Sequence, residues 1–205
     1  MAGAFVAFEG GDGSGKSTQC QLLVDRLAAA GQAARATREP GGSVLGEQIR
    51  SLLLTQDAQM DARTEALLFA AARADHVTMT IRPALLRGEV VVTDRYLDSS
   101  VAYQGVARGL GEDWIANLNM WATGGLVPDL TVLLDIDPAS GLRRAENANR
   151  LEAEPLEFHM AVRAAFLAMA DRAPTRYLVL PAQDPVPRIH ERVWEAVRLL
   201  VGDLL

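Results

Sequence analysis

The chain alternates short apolar runs with longer segments in which apolar residues recur at helical spacing. This alternation predicts strands at residues 5–9, 33–38, 90–94, 130–135 and 177–180. The longer segments predict helices at residues 17–30, 43–54, 61–82, 114–122, 138–146, 155–171 and 186–201. Such alternation is typical of a mainly parallel sheet covered by helices. No repeat or linker interrupts it, so the sequence predicts one α/β domain over residues 1–205.

Composition and charge limit the possible partners of this domain. The 205 residues are 49% hydrophobic but only 5% aromatic, which favours aliphatic packing of helices on a sheet. The net charge of −6 disfavours nucleic acid or an anionic membrane as a partner of the surface as a whole. Any phosphate-binding site must therefore depend on local arginines.

Cysteine usage and the N-terminal segment predict a cytoplasmic protein. The single Cys20 cannot form an intrachain disulfide, which fits a reducing compartment. The segment MAGAFVAFEG lacks a basic start, and no run of about 18 apolar residues occurs. We expect neither an export signal nor a membrane span.

The strongest motif directly follows the first predicted strand. It reads GGDGSGKS and fits the phosphate-loop pattern G-x-x-x-x-G-K-[ST], with a helix after it. Glycines adopt backbone angles closed to other residues, so successive N–H groups can face a polyphosphate. The helix N-terminus and Lys16 add positive charge, and the Ser17 hydroxyl can bind Mg²⁺. The candidate nucleotide-binding residues are Gly10, Gly11, Asp12, Gly13, Ser14, Gly15, Lys16, Ser17 and Thr18.

Polar residues also follow the second and third strands, at the sheet edge where ligands bind in such folds. The segment 38–43 leads into a helix that carries Arg50, which could face a second anion. A Pro-Gly turn with a Ser43 N-cap explains this segment equally well. The third strand ends in Asp94 and Arg95, which could orient a Mg²⁺-bound water and a phosphate, or could form a simple surface ion pair.

Two clusters at helical spacing could contact a nucleobase. Phe69 and Arg73 share a helix face, so a ring could stack on a base while a guanidinium reaches its edge. Packing of Phe69 in the core is the alternative. The second cluster consists of Ser99, Ser100, Tyr103 and Gln104. These residues could donate or accept hydrogen bonds with a nucleobase and could pack against its sugar. Polar residues at the start of a helix would give the same pattern.

A short polar stretch flanked by Arg143, Arg144 and Arg150 predicts a flap that carries positive charge. An exposed charged loop is the usual meaning of such a run. However, the glycine-rich loop contains Asp12 and no arginine, so a phosphoryl-transfer site needs a cation from elsewhere. A closing flap could supply it.

These motifs together resemble bacterial thymidylate kinases. The segments EGGDGSGKST, TREPGG, LLFAAARADH, DRYLDSSVAYQG and PDLTVLLDI fall in the family's order and approximate spacing between residues 4 and 180. The resemblance implies a three-layer P-loop NTPase fold, with a parallel sheet of about five strands and a short lid near residues 143–155. It also implies transfer of the γ-phosphoryl group of ATP to the 5′-phosphate of dTMP, with Mg²⁺, and a homodimer.

The resemblance assigns the donor side of the reaction. Lys16 would follow the moving phosphoryl group, and Ser17 and Asp94 would organise Mg²⁺. Arg144 and Arg150 match the family branch whose catalytic arginines lie in the lid, and Arg144 would also contact ATP. Because Arg143 is adjacent to Arg144, the register stays open. The catalytic residues implied are Lys16, Arg95, Arg144, Arg150 and Asp12.

The acceptor side follows from the same resemblance. Arg50 and Arg95 would hold the acceptor phosphate, Asp12 would meet the sugar 3′-hydroxyl, and Tyr103 would exclude a ribose 2′-hydroxyl. Thymine would lie on Phe69. The complete implied set is Asp12, Glu39, Arg50, Phe69, Arg73, Arg95, Ser99, Ser100, Tyr103 and Gln104, in which Arg73 and Gln104 bond the base edge.

Two other functions remain open at this point. A deoxynucleoside kinase would phosphorylate a neutral 5′-hydroxyl and would use an acid such as Glu39 as a base. A nucleotide-dependent switch ATPase would hydrolyse ATP without an acceptor.

Overall fold

The computed structural model describes residues 3–55, 59–144 and 150–202, and in them a parallel sheet of five strands. The strand order is β2-β3-β1-β4-β5, and every pairing is parallel. The strands are β1 (Phe5–Glu9), β2 (Ala34–Arg38), β3 (Val90–Asp94), β4 (Leu130–Asp135) and β5 (Tyr177–Pro181). This sheet confirms the fold class predicted from the alternating pattern.

Burial of the strands follows their place in the sheet. All five residues of β1 are buried, because β1 lies between β3 and β4 and helices cover both faces. The edge strand β2 reads ARATR and is mostly exposed or partly buried. Continuous apolar runs therefore predict the central strands, as expected for a parallel sheet covered on both faces.

The helices enclose the sheet in the order that the sequence pattern predicts, with two differences in the middle of the chain. They are α1 (Lys16–Ala29), α2 (Val44–Leu54), α3 (Ala62–His76), α4 (Arg82–Leu86), α5 (Leu97–Ser100), α6 (Glu112–Ala122), α7 (Pro138–Arg144), α8 (Leu156–Arg172) and α9 (Val186–Val201). Two wider π-helical turns, Val77–Ile81 and Val101–Ala107, join α3 to α4 and extend α5. Residues 145 and 146 of the predicted helix 138–146 lie outside the described residues.

The first difference is the end of the predicted helix 61–82. The α-helix ends at His76 and is followed by a π-helical turn and α4. Pro83 lacks an N–H group and its ring would meet the carbonyl one turn earlier, which favours a wider turn before it. A continuous α-helix to residue 82 was therefore wrong.

The second difference is the helical segment 97–107, which the predicted set of helices lacks. Nearly all of its residues are buried, including the polar Ser99, Ser100 and Gln104. A helix surrounded by protein has no single apolar stripe, so its period is not visible in the sequence.

Two packed faces make the fold a three-layer structure. On one face, Val6 and Phe8 of β1 pack with Leu23 of α1 and Val193 of α9. On the other, Phe5 packs with the segment around the first π-helical turn and with the start of α5, while α8 packs against β4 and β5. Because all strands are parallel, their carboxyl ends meet at one edge of the sheet. No helix in the described ranges is long and apolar enough to cross a membrane.

Candidate active site

A cavity of about 500 Å³ opens at the carboxyl edge of the sheet. Its walls come from the glycine-rich loop, the loops after β2 and β3, helices α2 and α3, and the segment 97–107. The predicted site residues that line it are Asp12, Gly13, Gly15, Lys16, Ser17, Thr18, Glu39, Arg50, Phe69, Arg73, Asp94, Arg95, Ser99, Ser100, Tyr103, Gln104 and Arg144. Residues that are far apart in the sequence thus face one space.

The glycine-rich loop adopts the shape of an anion cradle. Gly10 has φ 134°, and a Cβ there would lie 2.4 Å from the carbonyl oxygen of Leu134. Gly13 has φ 70°, and a Cβ there would lie 2.3 Å from the carbonyl oxygen of Gly141. Only glycine satisfies both the backbone angle and the close approach at these positions. The loop leads directly into α1, whose N-terminus favours a bound anion.

Lys16 is held within this loop. Its Nζ donates to the carbonyl oxygen of Gly11 at 2.7 Å and to Ser14 Oγ at 3.3 Å. Burial lowers the pKa of the ammonium group, and the neighbouring Arg95 lowers it further. A negative ligand would therefore relieve an unfavourable environment of this cation.

Ser17 and Asp94 meet at the floor of the cavity. Ser17 Oγ donates to Asp94 Oδ2 at 2.5 Å, so that two oxygen ligands lie together at the end of β3 and the start of α1. Mg²⁺ in nucleotide sites commonly takes only one or two protein oxygens and completes its shell with phosphate and water. The pair fits that ion, and within the described ranges no group of three or more acidic, His or Cys side chains forms a fuller metal site.

Arg95 is the one non-glycine residue with positive φ among those described, at 69°. Its guanidinium donates to the Gly10 carbonyl oxygen at 2.9 Å, to Ser99 Oγ at 3.2 Å and to Asp12 Oδ1 at 2.5 Å. Burial opposes the charged guanidinium, but Tyr103, Asp12 and Asp94 outweigh it and raise the pKa of Arg95. Backbone strain of this kind persists where surrounding contacts fix the residue, often at functional sites.

Asp12 joins the glycine-rich loop to the segment 97–107. Its carboxylate accepts from Arg95 and, at 3.2 Å, from the Tyr103 hydroxyl. Burial would raise the pKa of Asp12, but the charges of Arg95 and Lys16 hold it below its ordinary value. Asp12 is therefore an anion placed between two cations of the cavity.

The far wall of the cavity is built around Arg73, which is 2% exposed. Its guanidinium donates to Glu39 Oε2 at 2.6 Å, to Ser100 Oγ at 2.9 Å and to the Tyr96 carbonyl oxygen at 3.1 Å, and it also contacts Asn119. Glu39 lines the cavity as well, and its other oxygen contacts His76 Nδ1 at 3.0 Å. These contacts fix the guanidinium plane in one orientation.

Phe69 belongs to the hydrophobic core, as one of the two interpretations of the sequence predicted, and its stacking on a base stays a prediction. It packs in a cluster with Ile49, Leu53, Ala72 and Leu151, and it also lines the cavity. A core residue of this kind presents a rigid ring to a ligand.

Two arginines on either side of the loop after β2, Arg38 at the end of β2 and Arg50 in α2, lie on the same cavity. Arg50 donates to the Pro40 carbonyl oxygen at 2.7 Å, and burial together with the charge of Arg38 lowers its pKa. Arg38 lines the cavity and pairs with Glu47 at 3.2 Å. Arg38 opens the segment 38–43 that could face a second anion, but it is not among the predicted site residues.

The three flap arginines have different surroundings. Arg144 lines the cavity, while Arg143 donates to Ser140 Oγ at 3.0 Å. Arg150 pairs with Glu65 at 2.7 Å and donates to the Leu53 carbonyl oxygen, so in this structure it does not line the cavity. Residues 145–149 of the predicted lid lie outside the described residues. Three predicted residues of the glycine-rich loop, Gly10, Gly11 and Ser14, do not line the cavity.

Sequence reasoning missed one buried acid under the site. Glu9 ends β1, and its side chain accepts from the backbone N–H groups of Tyr96 and Ser99 at 2.9 and 3.1 Å and from Ser99 Oγ at 2.6 Å. Burial and the charge of Asp98 raise the pKa of Glu9 to about 7. An acidic residue at the end of an otherwise apolar strand was the available signal. The other cavity residues that were not predicted are Pro40, Leu54, Leu151 and Glu152.

Comparison with known proteins agrees with this geometry. The sequence profile of a family described as thymidylate kinase matches residues 8–193. A thymidylate kinase of Solidesulfovibrio magneticus is 50% identical over 96% of this chain and 100% of its own length. The thymidylate kinase of Clavibacter sepedonicus is 52% identical over 98% of both chains, and that of Leifsonia xyli is 52% identical over 91% of this chain and 90% of its own. The chain thus belongs to the thymidylate kinase family.

Proposed function

We propose that this chain transfers the γ-phosphoryl group of ATP to the 5′-phosphate of dTMP, giving dTDP and ADP for DNA precursor synthesis. Membership of the thymidylate kinase family supports the activity. One observation supports separate sites for the donor and acceptor phosphates. The glycine-rich loop with Lys16 lines the same continuous cavity as Arg50 and Arg95. Two phosphate chains can therefore meet inside it.

The donor nucleotide binds through the glycine-rich loop. Main-chain N–H groups and the α1 N-terminus hold the phosphates of ATP, and Lys16 stays with the phosphoryl group as it moves. Ser17 and Asp94 hold Mg²⁺, which neutralises charge on the phosphate oxygens when bound. Arg144, which lines the same cavity, contributes positive charge from the flap side. In this proposal Arg150 assists only after it leaves Glu65.

The acceptor phosphate binds to Arg50 and Arg95. Arg95 is fixed by three partners and its positive φ, so it is already oriented before a ligand enters. Preorganised donors cost little reorganisation during the reaction. Asp12 accepts from the sugar 3′-hydroxyl, and the Tyr103 ring occupies the space that a 2′-hydroxyl would need.

The base binds at the far wall. Thymine stacks on Phe69, and Arg73 and Gln104 bond its edge. Glu39 orients Arg73 rather than acting as a base, because its oxygens are engaged by Arg73 and His76. Ser99 and Ser100 complete this wall.

Catalysis then requires positioning and charge neutralisation rather than a general base. The second pKa of a phosphate monoester is about 6, so the attacking oxygen is largely deprotonated at neutral pH. The cavity supplies cations on both sides of the transferred group, which is how phosphoryl transfer is accelerated.

The test compares acceptors in one assay. We expect rapid ADP formation from ATP and Mg²⁺ in the presence of dTMP, and little with thymidine or without an acceptor, when initial rates are followed with a coupled ADP assay. Faster reaction with thymidine would indicate a deoxynucleoside kinase. ATP consumption that dTMP does not change would indicate a switch ATPase.

We also propose that the enzyme is a cytoplasmic homodimer. Helix α6 presents three exposed apolar side chains, Trp114, Met120 and Trp121, which a second copy could cover. The family resemblance implies the same state.

A further inference from the structure

A buried carboxylate lies directly behind the base-binding wall and is not itself part of the cavity lining. Glu65 is 1% exposed and belongs to the first turn of α3. It stands four residues before Phe69 and eight before Arg73, so the three share one helix face. Its oxygens accept from Gln104 Nε2 at 2.9 Å, from Arg108 Nη2 at 3.2 Å and from Arg150 Nη1 at 2.7 Å.

The contact with Gln104 fixes which end of that amide is available to a ligand. Gln104 is 1% exposed and lines the cavity. An ionised carboxylate has no hydrogen to donate, so it tolerates the amide NH₂ group at this distance and repels the amide oxygen. The two guanidinium groups of Arg108 and Arg150 balance the charge of Glu65. The amide therefore cannot rotate by half a turn without placing two acceptors against each other.

The orientation leaves an acceptor for the ligand. Among the described residues, none donates a hydrogen bond to Gln104 Oε1, whereas Nε2 is engaged by Glu65. Thymine carries a hydrogen-bond donor at N3, and cytosine carries an acceptor there. An oxygen held toward the base edge pairs with the first and repels the second.

We propose that Glu65 is a specificity-determining positioning residue: it locks the Gln104 amide with its oxygen available, and thereby selects bases with an N3–H group over cytosine. The inference rests on the proposed function, because it assigns Gln104 to the base edge. Glu65 acts through Gln104 and does not touch the nucleotide.

The test uses Glu65→Gln and Glu65→Asp with three acceptors, dTMP, dUMP and dCMP, at saturating ATP and Mg²⁺. The Gln variant keeps the shape but can both donate and accept, so that the Gln104 amide can reverse. The Asp variant keeps the charge opposite Arg108 and Arg150 but retracts the carboxylate from Gln104. We expect the ratio of kcat/KM for dTMP to that for dCMP to fall at least about tenfold in both.

The dTMP to dUMP ratio separates this role from a merely structural one. Uracil has the same N3–H group as thymine, so we expect this ratio to stay within about twofold of the unmodified enzyme, as for an interaction that the substitution does not touch. Glu154→Gln is the matched control, because Glu154 pairs with the same Arg108 at 2.6 Å but has no contact with Gln104. It should leave both ratios unchanged.

A double-mutant cycle tests whether Glu65 acts on base selectivity through Gln104. In a Gln104→Leu background, Glu65→Gln should change the dTMP to dCMP ratio no further, because the amide that it orients is gone. An unchanged ratio in either Glu65 variant, or an equal loss in the Gln104→Leu background, would overturn the inference. If the unmodified enzyme forms no dTMP-dependent ADP, the proposed function fails instead.

Discussion

At the scale of the residue, the cavity is defined by how a few buried charges are paired. Arg95 and Lys16 lie beside Asp12, which partly balances them before any ligand binds. Arg73 has partners for most of its hydrogens, which leaves its orientation fixed. Such pairing holds the cations in fixed positions, as the proposed binding of phosphate and base requires.

The first prediction concerns Lys16 and Arg95. We expect Lys16→Ala and Arg95→Ala each to lower turnover at least about 100-fold, because each removes a positioned cation from the transferred or accepting phosphate. The measurement is kcat with dTMP and ATP, with circular dichroism to verify folding. Arg188→Ala is the control, since Arg188 is 70% exposed and lies outside the cavity. Near-normal turnover of a folded Lys16 or Arg95 variant would contradict the role given to it.

At the scale of elements, the site depends on links between neighbouring strands. Glu9 at the end of β1 accepts hydrogen bonds from backbone N–H groups that follow β3. In the opposite direction, the Arg95 guanidinium after β3 donates to the carbonyl oxygen of Gly10 after β1. Hydrogen bonds thus link the loops after β1 and β3, which carry groups that we propose to bind phosphate. In these hydrogen bonds the Glu9 carboxyl group is buried, so water cannot solvate its charge.

The second prediction concerns the effect of buried Glu9 on how the free energy of unfolding depends on pH. In the folded protein the pKa of Glu9 is about 7, against an ordinary value of 4.5, so the unfolded chain loses this proton first as pH rises. The group therefore destabilises the folded protein progressively from about pH 4.5 to 7, and by a constant amount above. Relative to Glu9→Gln, the free energy of unfolding of the unmodified protein should fall by about 2–3 kcal/mol between pH 5 and 8.

Urea unfolding at pH 5, 6, 7 and 8 measures that difference. Glu195→Gln, an exposed position on α9, controls for the general effect of removing one acidic group. A difference between the unmodified protein and the Glu9 variant that does not change with pH would show that Glu9 keeps an ordinary carboxyl.

At the scale of the whole molecule, the net charge and the site have opposite signs. The chain carries −6 overall, yet cations such as Arg38, Arg50 and Arg95 gather around one cavity. The parallel sheet makes this possible, because it brings loops that are distant in sequence to one edge. A negatively charged surface with a cationic cavity suits small phosphorylated ligands better than nucleic acid.

The third prediction concerns assembly. Exposed tryptophans at 114 and 121, the second of them 82% exposed, are unusual on a monomer. Light scattering at micromolar concentration should therefore give twice the 22.1 kDa chain mass. Replacing Trp121 with Lys should weaken the assembly, with Trp194→Phe on α9 as the control. The mass of one chain at every concentration would refute the dimer.

The sequence by itself determined the fold class, the five strands and the glycine-rich loop, because the alternation of strand and helix patterns and short-range backbone requirements are local properties of the chain. Membership of the family was confirmed by comparison, and the predicted set of cavity residues is largely brought together by the structure. The roles of those residues remain predictions.

Only the tertiary structure decided the properties of side chains whose contacts are with residues distant in sequence. The raised pKa of Glu9, the engagement of Arg150 by Glu65 and the choice of Arg144 over Arg143 as a cavity residue all arise from contacts between separate segments. The predicted set of helices lacks the segment 97–107, although its polar residues fall at helical spacing, because burial on every side removes the apolar period that marks a surface helix. The local sequence pattern determines whether a segment forms a helix or a strand, whereas the tertiary surroundings of a side chain determine its charge and orientation.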